Sequence, residues 1–181
     1  VLSGTLSYIF NTYSTVATPF SEVVREAQKK GYTEPDPRDD LNGMDVARKI
    51  LILAREIGVP MELEQVVIKP FLPAKCFEAP TVEKFFATLK QVDSVIRERK
   101  DKAQQKKKVL RFIATLKNKK ASIELKEVGT EHPFYNLSGS DNIVAITSKR
   151  YCNTPLVIKG PGAGAEVTAG GVLADILSII H

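Results

Sequence analysis

Val109–Val128 reads VLRFIATLKNKKASIELKEV. Apolar and polar residues alternate over Val109–Lys117 and again over Ser122–Val128, the period of two that a strand with one buried face requires. With a polar turn at Lys117–Ala121, the pattern predicts an antiparallel hairpin, apolar face inward. Two further strands follow, Asn142–Ser148 and Pro155–Lys159, bounded by turn residues at 138–141 and 151–154. Upstream, helical spacing prevails, with one short strand at Gln65–Lys69. Helices segregated from a run of antiparallel strands indicate an α+β domain, a mainly antiparallel sheet with helices packed on one face. At 181 residues and 43% hydrophobic, the chain is long enough for one core, so 1–181 reads as a single domain.

The helices have readable ends. Leu2–Asn11 is a short helix with Gly4 and Thr5 at its start. Ser21–Lys30 has Ser21 as an available N-cap, Val23, Val24 and Ala27 as the buried stripe, and Gly31 as the stop. Between Gly43 and Ile57, residues Val46, Ile50, Leu53, Ala54 and Ile57 repeat at helical spacing, and Gly58 and Pro60 terminate the element. Thr81 caps a long helix through Phe85, Leu89, Val92 and Ile96, and a last helix runs from Ala165 to Ile180.

Composition excludes several classes. The net charge of +5 is concentrated in Arg97–Lys108, RERKDKAQQKKK, which lacks interleaved aromatics and is the solvated end of a helix, so no nucleic acid is expected. There is no apolar run long enough to cross a bilayer, so no membrane is expected either. Cys76 and Cys152 have no metal-ligand spacing, and His132 and His181 are the only histidines, so no metal is expected. Free thiols fit a cytoplasmic location.

Chemistry concentrates in GYTEPDPRDDLNGMDVARK, Gly31–Lys49. Pro35 and Pro37 stiffen the loop that presents Glu34, Asp36, Asp39 and Asp40. Asp45 and Lys49 stand four residues apart on the following helix and share a face. Five carboxylates from Glu34 to Asp45 repel one another unless cations or a ligand offset them, and Arg38, Arg48 and Lys49 are the local candidates. Acidic groups around one lysine suit a small cationic substrate whose hydroxyl or carbonyl exchanges a proton. The same residues also read as helix-capping carboxylates and a surface ion pair.

This block resembles the signature of homoserine dehydrogenases, and two others agree in order: GTLSYIFN, Gly4–Asn11, and GPGAGAEVTAGGVLADIL, Gly160–Leu177. The last is most similar to bifunctional aspartokinase/homoserine dehydrogenases. The resemblance implies the family's catalytic-domain fold and the NAD- or NADP-dependent interconversion of aspartate 4-semialdehyde and homoserine in threonine and methionine biosynthesis. It places Lys49 and Asp45 among catalytic residues and Glu34 and Asp40 on the substrate, with Gly4, Thr5 and Tyr32 lining the pocket. It also implies cofactor contacts at Gly162, Gly164 and Glu166. The family's nucleotide-binding domain precedes the GTLSYIF block, and this chain begins at Val1. The expectation is therefore a fragment of a larger enzyme, inactive alone and without a tightly bound nicotinamide, whose partners in cis are that domain and an aspartokinase domain.

Gly160, Gly162 and Gly164 allow a sharp turn before a helix whose first amides face an anion, although glycines between strand and helix often serve only the turn. Both faces of Asn142–Ser148 are largely apolar, which predicts a homodimer. Two other readings stand beside the enzyme: a non-enzymatic dimerisation or interaction module, and the substrate domain of another amino-acid dehydrogenase.

Overall fold

The computed structural model describes residues 1–180, so His181 lies outside the described residues. Its helices are α1 (Gly4–Thr15), α2 (Phe20–Lys29), the single turn α3 (Arg38–Leu41), α4 (Met44–Glu56), the single turn α5 (Ala74–Phe77), α6 (Val82–Gln91), α7 (Asp93–Gln105) and α8 (Ala165–Ile180). The strands are β1 (Val67–Ile68), β2 (Val109–Lys117), β3 (Lys120–Val128), β4 (Asn142–Ile146) and β5 (Leu156–Gly160). The α+β class holds, but the strands form two sheets: β1-β3-β2, in which β1 runs parallel to β3, and the antiparallel pair β4-β5.

The hairpin β2–β3 is tighter than expected. Lys117 pairs with Lys120, and Asn118 and Lys119 both have positive φ, 52° and 61°, which is the two-residue turn whose twist matches the strands. Leu110, Phe112, Ile123 and Leu125 point into the main core beneath α1, α4 and α7. Ile113 and Val128, on the opposite face, join Val1, Phe134, Leu137 and Ile143 in a second, smaller cluster. Arg111 lies on that face too, only 3% exposed and, among the described residues, without a carboxylate partner. Its guanidinium reaches the carbonyls of Phe10, Leu110, Phe134, Tyr135 and Leu137 and the Ser14 hydroxyl, and burial lowers its pKa to about 10.

Several local expectations are corrected. The helix begun at Thr81 breaks at Val92, because the Asp93 carboxylate turns toward α2 and accepts from the Ser21 amide (2.8 Å) and hydroxyl (2.6 Å). Ser21 is therefore not an N-cap. Pro19 holds that position, and Asp93 satisfies the helix start from another element. The basic stretch is not wholly solvated either: Lys100 is buried, bonded to Val16 O and 4.5 Å above the Tyr13 ring. Leu53 on α4 and Ile57 just past its end are exposed, while Ala47 and Leu51 are buried beside Val46, Ile50 and Ala54. The strand expected at Gln65–Lys69 shrinks to two residues after a 3-10 turn at Leu63–Gln65.

Every residue of α8 is exposed, including Val167, Val172, Leu173, Ile176 and Leu177, and Leu156, Val157 and Ile158 of β5 are exposed as well. Among the described residues no helix is long and apolar enough to cross a membrane.

Candidate functional site

The site grows from the N-terminal turn of α1. Ser3 caps it, accepting from the Leu6 amide, so Gly4 and Thr5 stand at its open end. Gly4 is pressed against the loop at Ser140, whose carbonyl would lie 3.3 Å from a Cβ there. Opposite, α2 ends at Gly31 (φ 73°), where Gly31 N bonds to Gln28 O and Tyr32 N to Ala27 O, a helix stop that turns Tyr32 back toward α1. Tyr32 then stacks on Tyr8, with ring centroids 4.0 Å apart and planes at 17°.

Asp40, in α3, ties these pieces together. Its Oδ1 stands 2.8 Å from the Thr5 hydroxyl and its Oδ2 accepts from the Glu34 amide at 2.9 Å. The Thr5 hydroxyl also lies 2.6 Å from Tyr32 O. One hydroxyl proton therefore faces two acceptors, a strained arrangement while Asp40 is ionised and a relaxed one when it carries a proton. Burial raises the Asp40 pKa, and the nearby charges of Glu34 and Asp39 push it the same way, against the bonds from Glu34 N and Thr5.

Not every loop carboxylate is free. Arg38 clasps Asp36 and reaches Ala79 O, so that pair anchors the loop to the segment after α5. Among the described residues the Glu34 carboxylate takes no hydrogen bond or ion pair, and it stays exposed. Asp45 and Lys49 pair at 2.7 Å along α4, whose entry is fixed by Gly43 (φ 79°) packed under the Phe112 ring. Thr5, Tyr32, Glu34 and Asp40 are thus joined by direct bonds, whereas Asp45 and Lys49 bond to each other and to none of those four.

Sequence reasoning missed Tyr8 and Lys30. The Lys30 ammonium pairs with Glu26 at 2.7 Å and donates to the Tyr8 hydroxyl at 3.1 Å. Two tyrosines on separate elements leave no periodic signal, and this contact emerges only from the fold.

The glycine-rich turn after β5 is bare on its outer side. Gly164 has φ 129°, and Gly162, Gly164 and Glu166 are exposed. Such a turn admits close approach by a flat amide or an anion. Among the described residues no group of three or more His, Cys, Asp or Glu side chains could hold a metal ion.

Comparison with known proteins decides the family. A family model described as homoserine dehydrogenase matches residues 1–177. The chain belongs to that family. It is 50% identical over 181 residues to a chloroplastic bifunctional aspartokinase/homoserine dehydrogenase of Daucus carota, covering 99% of this chain and 20% of the relative. It is 46% identical over 187 residues to the homoserine dehydrogenase of Schizosaccharomyces pombe, covering 99% of this chain and 50% of that protein. A crystallised Candida auris protein of unknown function superposes with a TM-score of 0.92 at 45% identity, over 99% of this chain and 51% of that one. The chain thus spans about half the length of the fungal homoserine dehydrogenase and a fifth of the plant bifunctional enzyme.

Proposed function

We propose that this chain is the substrate-binding and catalytic part of a homoserine dehydrogenase, interconverting homoserine and aspartate 4-semialdehyde. The observation that carries the reading is the bonded group Thr5–Asp40–Glu34–Tyr32, which presents the Glu34 carboxylate, without a hydrogen bond or ion pair among the described residues, on a stiff loop, with a lysine–aspartate pair on the next long helix. Glu34 receives the substrate ammonium, Thr5 and Tyr32 line the pocket, and Asp40 holds the loop that presents Glu34. Arginines would mark a site for an anionic substrate, and the only arginine in this loop is spent on Asp36.

Lys49 carries the proton. Paired with Asp45, its ammonium is held in place, which suits donation to the aldehyde oxygen as the alcohol forms. In the reverse direction the same nitrogen takes the hydroxyl proton. A bound nicotinamide supplies or accepts the hydride. Gly162, Gly164 and Glu166 are the residues of this chain offered to it, and this part alone does not hold it tightly.

The exposed apolar side chains of α8 and β5 are covered, in this reading, by a nucleotide-binding domain of the same polypeptide and by a second subunit. An aspartokinase domain in cis and a cytoplasmic location complete the proposal. The test joins this chain to a nucleotide-binding domain of the family and follows homoserine-dependent reduction of NADP. Activity that disappears with Lys49→Ala supports the reading; activity on 2-hydroxy acids in place of homoserine refutes it.

A further inference from the structure

The segment Gly139–Asn142 touches two places that the proposed reaction must hold in register. On one side it lies along α1: Asn11 Nδ2 donates to Gly139 O (2.8 Å), the Ser7 hydroxyl donates to Asp141 O (2.7 Å), and Gly4 abuts Ser140 O. On the other side Asn142 opens β4, paired with Gly160, and its amide fills the bend of the glycine-rich turn. A Cβ at Gly162 would stand 1.9 Å from Asn142 Nδ2 and 2.7 Å from its Cγ. The Asp141 carboxylate adds an ion pair to Lys159 of β5 at 3.5 Å. Three successive residues, Ser140, Asp141 and Asn142, therefore bridge Gly4 at the substrate group and Gly162 at the turn.

Two details set this contact apart from ordinary packing. Gly162 is not among the glycines with positive φ, so its backbone does not call for glycine; the Asn142 amide is what excludes a side chain. Asn142 Oδ1 is buried and has no hydrogen-bond partner among the described residues. An acceptor without a donor weakens a fold, and stability alone would favour a smaller apolar residue here.

We infer that Asn142 is a positioning residue: wedged against Gly162, it sets the height of the glycine-rich turn, and of the start of α8, relative to the Gly4–Thr5 end of α1. The inference rests on the homoserine dehydrogenase reading and concerns the nicotinamide side of the site.

A double-mutant cycle tests it in the polypeptide joined to its nucleotide-binding domain. Asn142→Ala and Gly162→Ala should each raise the apparent KM for the nicotinamide on the order of tenfold, the scale of a small misplacement, with homoserine KM and melting temperature held. Asn142→Ala clears the space that a Cβ at 162 needs, so the double variant should be no worse than the worse single one. In the 181-residue chain alone, hydrogen exchange across 163–168 should quicken in Asn142→Ala while exchange across β2 stays unchanged. Losses that multiply in the double variant, or both KM values rising together as the melting temperature falls, would overturn the inference. If the joined wild type fails to oxidise homoserine, the functional reading fails, and the exchange experiment still decides whether Asn142 holds the turn.

Discussion

Replacing Asp40 separates the two things its carboxylate does. Asp40→Ala removes the acceptors of the Thr5 hydroxyl and the Glu34 amide. At about 1 kcal/mol net for each bond, less what water recovers at the half-exposed loop, the loss is about 1–2 kcal/mol. For a domain of this size that lowers Tm by roughly 3–6 °C. Asp40→Asn should behave differently. Its carbonyl can accept from Glu34 N and its amide can donate to Thr5 Oγ1, which frees the Thr5 proton for Tyr32 O and gives every group a partner. Because burial raises the Asp40 pKa, the fold favours the neutral acid, so this group's contribution is full below its ordinary value of 3.8 and is lost as pH rises through the raised one. The ionised form therefore costs stability at pH 7 and the asparagine does not. Calorimetric melts should show Asp40→Asn equal to or above wild type at pH 7, with the gap closing toward pH 4. If Asp40→Asn fell as far as Asp40→Ala, the charge rather than the bonding pattern would hold the loop, and the proton argument would be refuted.

In the polypeptide joined to its nucleotide-binding domain, Lys49→Ala should reduce turnover by ~100-fold or more while leaving nicotinamide affinity near wild type, in steady-state assays of homoserine oxidation. Glu34→Ala should act mainly on homoserine KM, with a smaller effect on turnover; an unchanged KM would return Glu34 to the role of a surface carboxylate. His132 accepts from the Phe134 amide at 3.2 Å, and burial, reinforced by the charge of Lys126, lowers its pKa. The fold thus favours neutral His132, and stability should be full above pH 6.5 and decline as pH falls below it, a slope that His132→Asn should flatten in melts between pH 7 and 5.5. Sedimentation at tens of micromolar should give a dimer, and a monomer there would speak against the shared apolar face of β4 and β5.

The hairpin, the last helix and most helix ends were legible because each rests on local signals: alternation in Val109–Val128, glycine at Gly31 and Gly43, a threonine cap at Thr81. Where reading failed, the deciding partner was distant in the chain. Ser21 looks like a cap until Asp93 arrives from 72 residues away, and that same contact breaks the long helix at Val92. Lys100 lies in a run that reads as solvated, and only the placement of Tyr13 and Val16 shows why it is buried. The acidic loop was legible as a candidate site, but its sharing of labour was not: Asp36 is taken by Arg38 and Asp40 by Thr5 and the Glu34 amide, while among the described residues the carboxylates of Glu34 and Asp39 take no hydrogen bond or ion pair.

The cage around Arg111 bears on how this molecule meets ionic strength. Five carbonyls and a hydroxyl, drawn from α1, β2 and the stretch through Leu137, share one guanidinium that has no carboxylate opposite it among the described residues. Mobile ions weaken pairs between opposite exposed charges, such as Lys30 with Glu26 or Lys102 with Glu98. They have little purchase on buried dipoles arranged around a cation that solvent does not reach. Concentrated salt should therefore loosen the rim of the protein well before it loosens the joint between α1 and the loop that leads to the glycine-rich turn.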